Sequence, residues 1–249
     1  MRNAYDRRIA RAHELATKFP ESTSHLEFYG SLARFQKPIL ENLDSTDVRD
    51  LLRYFPALIE LVERAGPDPL KAFARARLDS PVTQEDLAVR YWDGVGRHGV
   101  SAEEQFFARV LLQPYAEYLA ARGSIEAQGA GSVCPFCCSK AVAAVLRGEG
   151  EGAKRSLSCS LCATEWLFRR VLCPNCGEEH KDNLPVYTAS EIPHVRVEAC
   201  DTCRRYIKSV DLTKDGLAVP VVDEMATIAL DIWANEHGYS TLETNLLGM

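Results

Sequence analysis

The stretch that decides the fold runs from Cys134-Pro135-Phe136-Cys137 through Cys159-Ser160-Leu161-Cys162 and Cys173-Pro174-Asn175-Cys176 to Cys200-Asp201-Thr202-Cys203. All nine cysteines of the 249-residue chain lie in this window, eight of them in these four Cys-x-x-Cys pairs. There are 21 residues between the first and second pairs, 10 between the second and third, and 23 between the third and fourth. The third pair repeats the first at an offset of 39 and the fourth repeats the second at 41, so the region reads as a tandem duplication of one small unit.

A two-residue spacer lets both sulfurs of a pair turn towards one point, and two facing knuckles complete a tetrahedral S4 shell at about 2.3 Å. A unit this small cannot build a sufficient hydrophobic core, and a metal takes its place. The repeat assigns Cys134, Cys137, Cys159 and Cys162 to one site and Cys173, Cys176, Cys200 and Cys203 to the other. An interleaved cross-brace fits the repeat less well, and redox dithiols without metal are the remaining alternative. Closed S4 shells keep no position for water or substrate, which argues against hydrolysis at the metal, while leaving both Zn²⁺ and a single iron open. Cys138, the ninth thiol, stands where the third knuckle has Gly177. It reads as a small residue in a tight turn, with a spare ligand or redox-sensitive thiol as the alternative.

On either side of the window the pattern changes. Leu26, Tyr29, Leu32, Ala33, Ile39, Leu40 and Leu43 recur at helical spacing, with Pro38 expected to kink or divide the segment. Leu51, Leu52, Phe55, Leu58, Ile59 and Val62 form a second stripe, closed by Gly66-Pro67. A third helix is predicted from Ser101, with Glu104 completing a capping box, to Gly123. The glycines of Gly123 to Ser132 mark a linker. Short runs at 141–146, 156–158, 165–172, 184–187, 194–197 and 206–210 are rich in β-formers and suit small antiparallel sheets, with Gly148 to Gly152 as a hairpin turn. From Val222 to Trp233 the spacing is helical again, up to Gly238.

Composition limits the function. The chain is 46% apolar and 26% charged, as in folded soluble proteins. Its most apolar stretch, Leu51 to Val62, contains Arg53, Pro56 and Glu60, so no membrane insertion is expected. Met1 to Leu15 is charged and has no apolar signal core, which predicts a cytoplasmic protein whose clustered thiols bind metal rather than form disulfides. The net charge is −6, and residues 134–212 carry 11 basic against 10 acidic side chains, which disfavours a nucleic-acid partner. The pairs Arg169-Arg170 and Arg204-Arg205 read as sulfur-facing or surface cations. Gly94-Val95-Gly96-Arg97-His98-Gly99 matches a dinucleotide fingerprint, but it comes after a helical stretch instead of a strand and reads as an interhelical loop. No catalytic constellation can be named, so no enzyme is expected.

The succession Cys134-Pro135-Phe136-Cys137, Cys159-Ser160-Leu161-Cys162-Ala163-Thr164-Glu165-Trp166, Cys173-Pro174-Asn175-Cys176 and Cys200-Asp201-Thr202-Cys203-Arg204-Arg205-Tyr206 resembles the FdhE family of formate dehydrogenase accessory proteins. The resemblance implies a chaperone-like assembly factor that binds the catalytic subunit of a formate dehydrogenase and carries two rubredoxin-like tetrathiolate sites, with iron slightly favoured over zinc. A redox or electron-transfer protein acting on that client is the alternative. Cys138 departs from the glycine usual in the family's first knuckle. The resemblance also draws attention to Thr164, Glu165 and Trp166, either as packing groups or as a surface for the client or the other domain. The fold class is α+β: a helical domain (1–122), a linker (123–132), a first rubredoxin-like module (133–172), a second (173–212), and a C-terminal helix and tail (213–249).

Overall fold

The computed structural model describes residues 2–78, 80–94, 99–123, 131–150 and 152–249. Six helices come first: α1 (Arg2–Lys18), α2 (Thr23–Glu41), α3 (Phe55–Ala65), α4 (Asp68–Arg77), α5 (Pro81–Trp92) and α6 (Ala102–Arg122). The capping box forms as the sequence predicts. Ser101 Oγ accepts from the Glu104 N–H at 3.2 Å, and Glu104 Oε2 accepts from the Ser101 N–H at 2.8 Å. Helix α6 buries Phe106, Phe107, Val110, Leu111 and Tyr115 among others and forms the centre of this half. Pro38 does not divide α2, because it falls in the helix's last turn, where its missing N–H removes one bond near a fraying end. In the second stripe, a 3-10 segment over Val48–Tyr54 precedes α3, which begins beside Pro56. Most of the linker (124–130) and the centre of the Gly94–Gly99 run (95–98) lie outside the described residues.

The strands are β1 (Ala141–Glu149), β2 (Gly152–Cys159), β3 (Glu165–Leu167), β4 (Val186–Thr188), β5 (Val195–Cys200), β6 (Arg205–Asp211) and β7 (Ser240–Thr241). The duplication is visible in their order: β1-β2-β3 and β4-β5-β6 are both antiparallel meanders, with knuckles at corresponding places. The two meanders are not separate sheets. Strand β1 pairs in parallel with β6, giving one sheet in the order β3-β2-β1-β6-β5-β4, and β7 adds to the other end of β6. The first strand of one unit therefore joins the last strand of the other, which puts the short strands β3 and β4, of 3 residues each, at the two edges of the sheet.

The apolar run from Val222 forms two helices, α7 (Pro220–Ala226) and α8 (Ile228–Glu236), in place of the single one expected. The break falls at Thr227, whose hydroxyl donates back to the carbonyls of Asp223 and Glu224 at 3.0 and 2.9 Å. Both helices cover one face of the sheet. Lys208 on β6, almost fully buried, reaches Glu224 Oε1 at 3.0 Å and Asp231 Oδ2 at 2.6 Å there. Helix α1 is held to α7 by Arg11, which donates to Asp223 through Nε and Nη2 and to Asp215 at 2.6 Å. Among the described residues, no helix is long and apolar enough to cross a membrane.

Candidate metal centres

Each knuckle begins on a strand end or loop and closes through the backbone. The N–H groups of Cys138, Gly177 and Arg204 donate to the carbonyls of Cys134, Cys173 and Cys200 at 3.0, 3.1 and 2.8 Å. The residue after each pair then turns left-handed: Cys138 (φ 58°), Ala163 (53°), Gly177 (78°) and Arg204 (56°). Among the described residues, the three that are not glycine are the only non-glycine residues at positive φ. This accounts for Cys138 as a small side chain at a position that favours glycine. It is exposed, and it is not a member of either cluster.

The closure brings the sulfurs together in the two sets assigned by the repeat. In the first, Cys134–Cys162, Cys137–Cys159 and Cys137–Cys162 are 3.5, 3.3 and 3.6 Å apart; in the second, Cys173–Cys203 and Cys176–Cys200 are each 3.7 Å apart. A tetrahedron with metal–sulfur bonds of about 2.3 Å has edges of about 3.8 Å. Both clusters fit such an ion with slight expansion, and the interleaved cross-brace does not occur. Amide groups already point at sulfur: the N–H of Leu161 and of Cys162 towards Cys159, and the N–H of Asn175 towards Cys173, each at 3.4 Å. Burial pushes the Cys173 thiol up to about 12 and raises Cys200, and contact with the sulfurs of Cys134 and Cys137 raises Cys159. A divalent or trivalent cation is what would let the four sulfurs of a cluster ionise together.

The surroundings of the two clusters differ. Cys134, Cys159 and Cys162 are buried, and the carbonyl of Ser160, inside the second knuckle, accepts from Arg109 Nη2 at 3.0 Å and Gln113 Nε2 at 3.1 Å, both on α6. In the second cluster Cys176 is exposed and Cys203 half-buried. Here Glu178 accepts from Thr202 Oγ1 at 2.5 Å and from the His180 N–H at 2.8 Å, tying the third knuckle to the fourth. Those bonds, led by the one from Thr202, hold its carboxyl at about 2. The only sequence signal for the α6 clamp is a lone arginine inside the apolar run 106–112.

A third group, His194, Asp215 and Asp223, also lies close enough to hold an ion. The Arg11 guanidinium already occupies the cation position, 2.6 Å from Asp215 Oδ2 and from Asp223 Oδ1, so this cluster is an internal salt bridge.

Of Thr164, Glu165 and Trp166, the first places its hydroxyl 3.1 Å from Cys162 Sγ, where it can donate to a thiolate. Trp166 is buried and its indole N–H donates to Gly131 O at 2.9 Å. Glu165 is exposed and pairs with Arg147 at 2.8 and 3.1 Å. Thr164 and Glu165 line a cavity of about 490 Å³ between the ribbon, α1 and α7.

Profiles of known families match the chain from the first knuckle almost to its C-terminus: "FdhE, central domain" over residues 133–170 and "FdhE, C-terminal domain" over 171–247. The chain is 30% identical to a "Protein FdhE homolog" from Aquifex aeolicus, across 94% of this chain and 92% of that protein. It is 28% identical to a homolog of the same name from Pseudomonas aeruginosa, across 99% and 90%. The crystal structure of the FdhE protein from Pseudomonas aeruginosa superposes with a TM-score of 0.74 at 24% identity, covering 99% of this chain and 96% of that one, which is a likeness of fold. Near-complete coverage at this identity, with both domain profiles in sequence order, places the chain in the FdhE family.

Proposed function

We propose that this protein is a non-catalytic accessory factor for the assembly of active formate dehydrogenase, binding the enzyme's catalytic subunit in the cytoplasm and carrying two tetrathiolate metal ions. The observation that carries the reading is the near-full-length similarity to an FdhE homolog. Two sulfur clusters, each with a complete set of four donors, support it further. When bound, a metal in either site would cross-link two knuckles, and iron would add one-electron chemistry. The chain's own residues set the rest: Arg109 and Gln113 fix the first site to the helices, and Glu178 and Thr202 brace the second.

Complementation tests this reading. In a strain lacking its own member of the family, the wild-type chain should restore formate oxidation and co-purify with the catalytic subunit. Restoration without any physical association would overturn the binding role, and failure of both would overturn the function. Iron is the metal proposed, and anaerobic purification followed by elemental analysis and visible absorption separates coloured ferric tetrathiolate from zinc. Full restoration by zinc-loaded protein would remove any redox requirement. Glu165, the exposed member of its triplet, is proposed to touch the client. Glu165→Ala should keep metal and fold but lose client binding.

A further inference from the structure

Although the chain is acidic overall, one face of its sheet gathers positive charge. The β5–β6 register pairs Glu198 with Ile207 and Cys200 with Arg205, so these side chains share a face with Arg196, while Lys208 points to the helices on the other. The connector between the two units crosses the open face, held by Phe168 N–H to Arg155 O at 3.1 Å and by Arg155 Nη1 to Arg169 O at 3.0 Å. Beneath it lies a cavity of about 300 Å³ whose charged lining is Arg155, Arg170, Lys181, Arg196, Arg205 and a single acid, Glu198. Glu198 is shared by Arg155 and Arg196. Among the described residues, Arg170, Lys181 and Arg205 have no carboxylate within 4 Å.

The cavity is also apolar. Leu172, Leu184, Ile207 and Leu242 line it, and exposed Val171 and Val186 stand at its rim. A second cavity of about 700 Å³, bordered by exposed Val133 and Leu167, shares Arg155 and Arg170 with the first. Together they form a strip from the first knuckle to the third and fourth, with apolar and cationic groups interspersed.

We infer that this strip is a docking site for an extended, acidic and apolar polypeptide segment, with carboxylates on Arg170, Lys181 and Arg205 and aliphatic side chains in the cavity beneath the connector. Charge complementarity selects the carboxylate. The aromatic rings on the strip, Trp166, Phe168 and Tyr206, are buried, so it lacks the exposed stacking platform that single-stranded nucleic acid uses. A docked segment would lie against Cys173 and Cys200, next to the more exposed metal site. The inference stands apart from the assembly role: it concerns what the surface recognises, whichever enzyme supplies the segment.

Fluorescence anisotropy with the full-length, metal-loaded chain tests it, using as probes a labelled peptide of alternating aspartate and leucine, its lysine–leucine counterpart, and an oligothymidylate. The aspartate peptide should bind saturably and weaken with salt. Arg170→Glu with Lys181→Glu should weaken it at least about tenfold, since the reversal replaces two attractive contacts with like-charge repulsion against the aspartates. Both side chains are exposed and have no ion pair to lose, so unchanged circular dichroism and metal content accompany the effect. Absence of saturable aspartate-peptide binding, equal binding of the lysine peptide, wild-type affinity in the double variant, or tighter binding of the oligothymidylate would each overturn the inference.

Discussion

Replacing Asp223 with asparagine tests what fastens the helical half to the ribbon half. This carboxylate is fully buried in α7 and accepts from Arg11 on α1 (Nη2, 2.6 Å), from His194 Nε2 before β5 (2.9 Å) and from the Val219 N–H (2.7 Å). Asp223→Asn keeps the volume and removes the charge, leaving a guanidinium that is 5% exposed with only Asp215 and Glu14, both nearer solvent. Breaking a buried pair by removing one partner costs about 3–5 kcal/mol. For a chain of this size that is a fall in melting temperature of about 6–20 °C. The assay is thermal denaturation at neutral pH of wild type, Asp223→Asn, Arg11→Met and the double variant, and the double should cost much less than the sum of the singles. The pH dependence has a definite sign. Burial alone would raise the Asp223 carboxyl, but hydrogen bonds from His194 and Arg11 outweigh it and hold the group below its usual value. Its contribution is therefore complete above the unfolded-state value of about 3.9 and is lost as pH falls through the lower folded value, so wild type and Asp223→Asn converge in acid. A neutral-pH difference below about 1 kcal/mol, the worth of an exposed pair, or strict additivity in the cycle, would refute the clamp.

The knuckles carry further consequences. Cys138→Gly should retain both metal ions and gain about 0.5–1 kcal/mol in denaturant titration, because relief of the left-handed strain exceeds glycine's extra unfolded-state entropy. Arg204→Gly should not gain, since Arg204 also donates to His237 O and lies 4.0 Å over the Tyr239 ring. Trp166→Ala should cost about 3–5 kcal/mol by the same measurement, as a buried indole that also satisfies Gly131 O.

The cysteine spacing was sufficient to assign both sulfur clusters, because two-residue knuckles are local and the repeat pairs them. Local too are the Ser101–Glu104 capping box and the Gly148–Gly152 hairpin, and both are legible for that reason. The features that the sequence does not disclose are long-range. Pairing of β1 with β6 joins residues such as Ala144 and Ser209, and nothing in either strand's alternation names its neighbour. Arg11, Asp215 and Asp223 are unremarkable singly, as are Arg155, Arg170, Lys181 and Arg205. The fold gathers these last four from both units of the duplicated region, so near-neutral composition there conceals a cationic face. Thr227 carries no helix-breaking signal strong enough to outweigh the apolar periodicity around it.

The unequal burial of the two clusters predicts the order in which they lose metal. Ligand exchange at an S4 site needs an approach to a metal–sulfur bond, and in the first cluster that approach is closed by buried Cys134, Cys159 and Cys162 and by α6, whose Arg109 and Gln113 hold Ser160 O. In the second, Cys176 faces solvent, and the bracing Glu178–Thr202 bond is itself exposed. Zinc-loaded protein challenged anaerobically with a chromogenic chelator should therefore release metal in two phases of equal amplitude. Cys176→Ser should abolish the fast phase alone, and Arg109→Met should accelerate the slow phase alone, because opening the first site requires α6 to let go. A single phase, or loss of the fast phase in Cys134→Ser, would show that exposure does not govern exchange. If the order holds, the duplication has produced one cluster that fastens the ribbon to the helices and one that stays accessible beside the cationic cavity, the position from which a bound segment could be sensed at the metal.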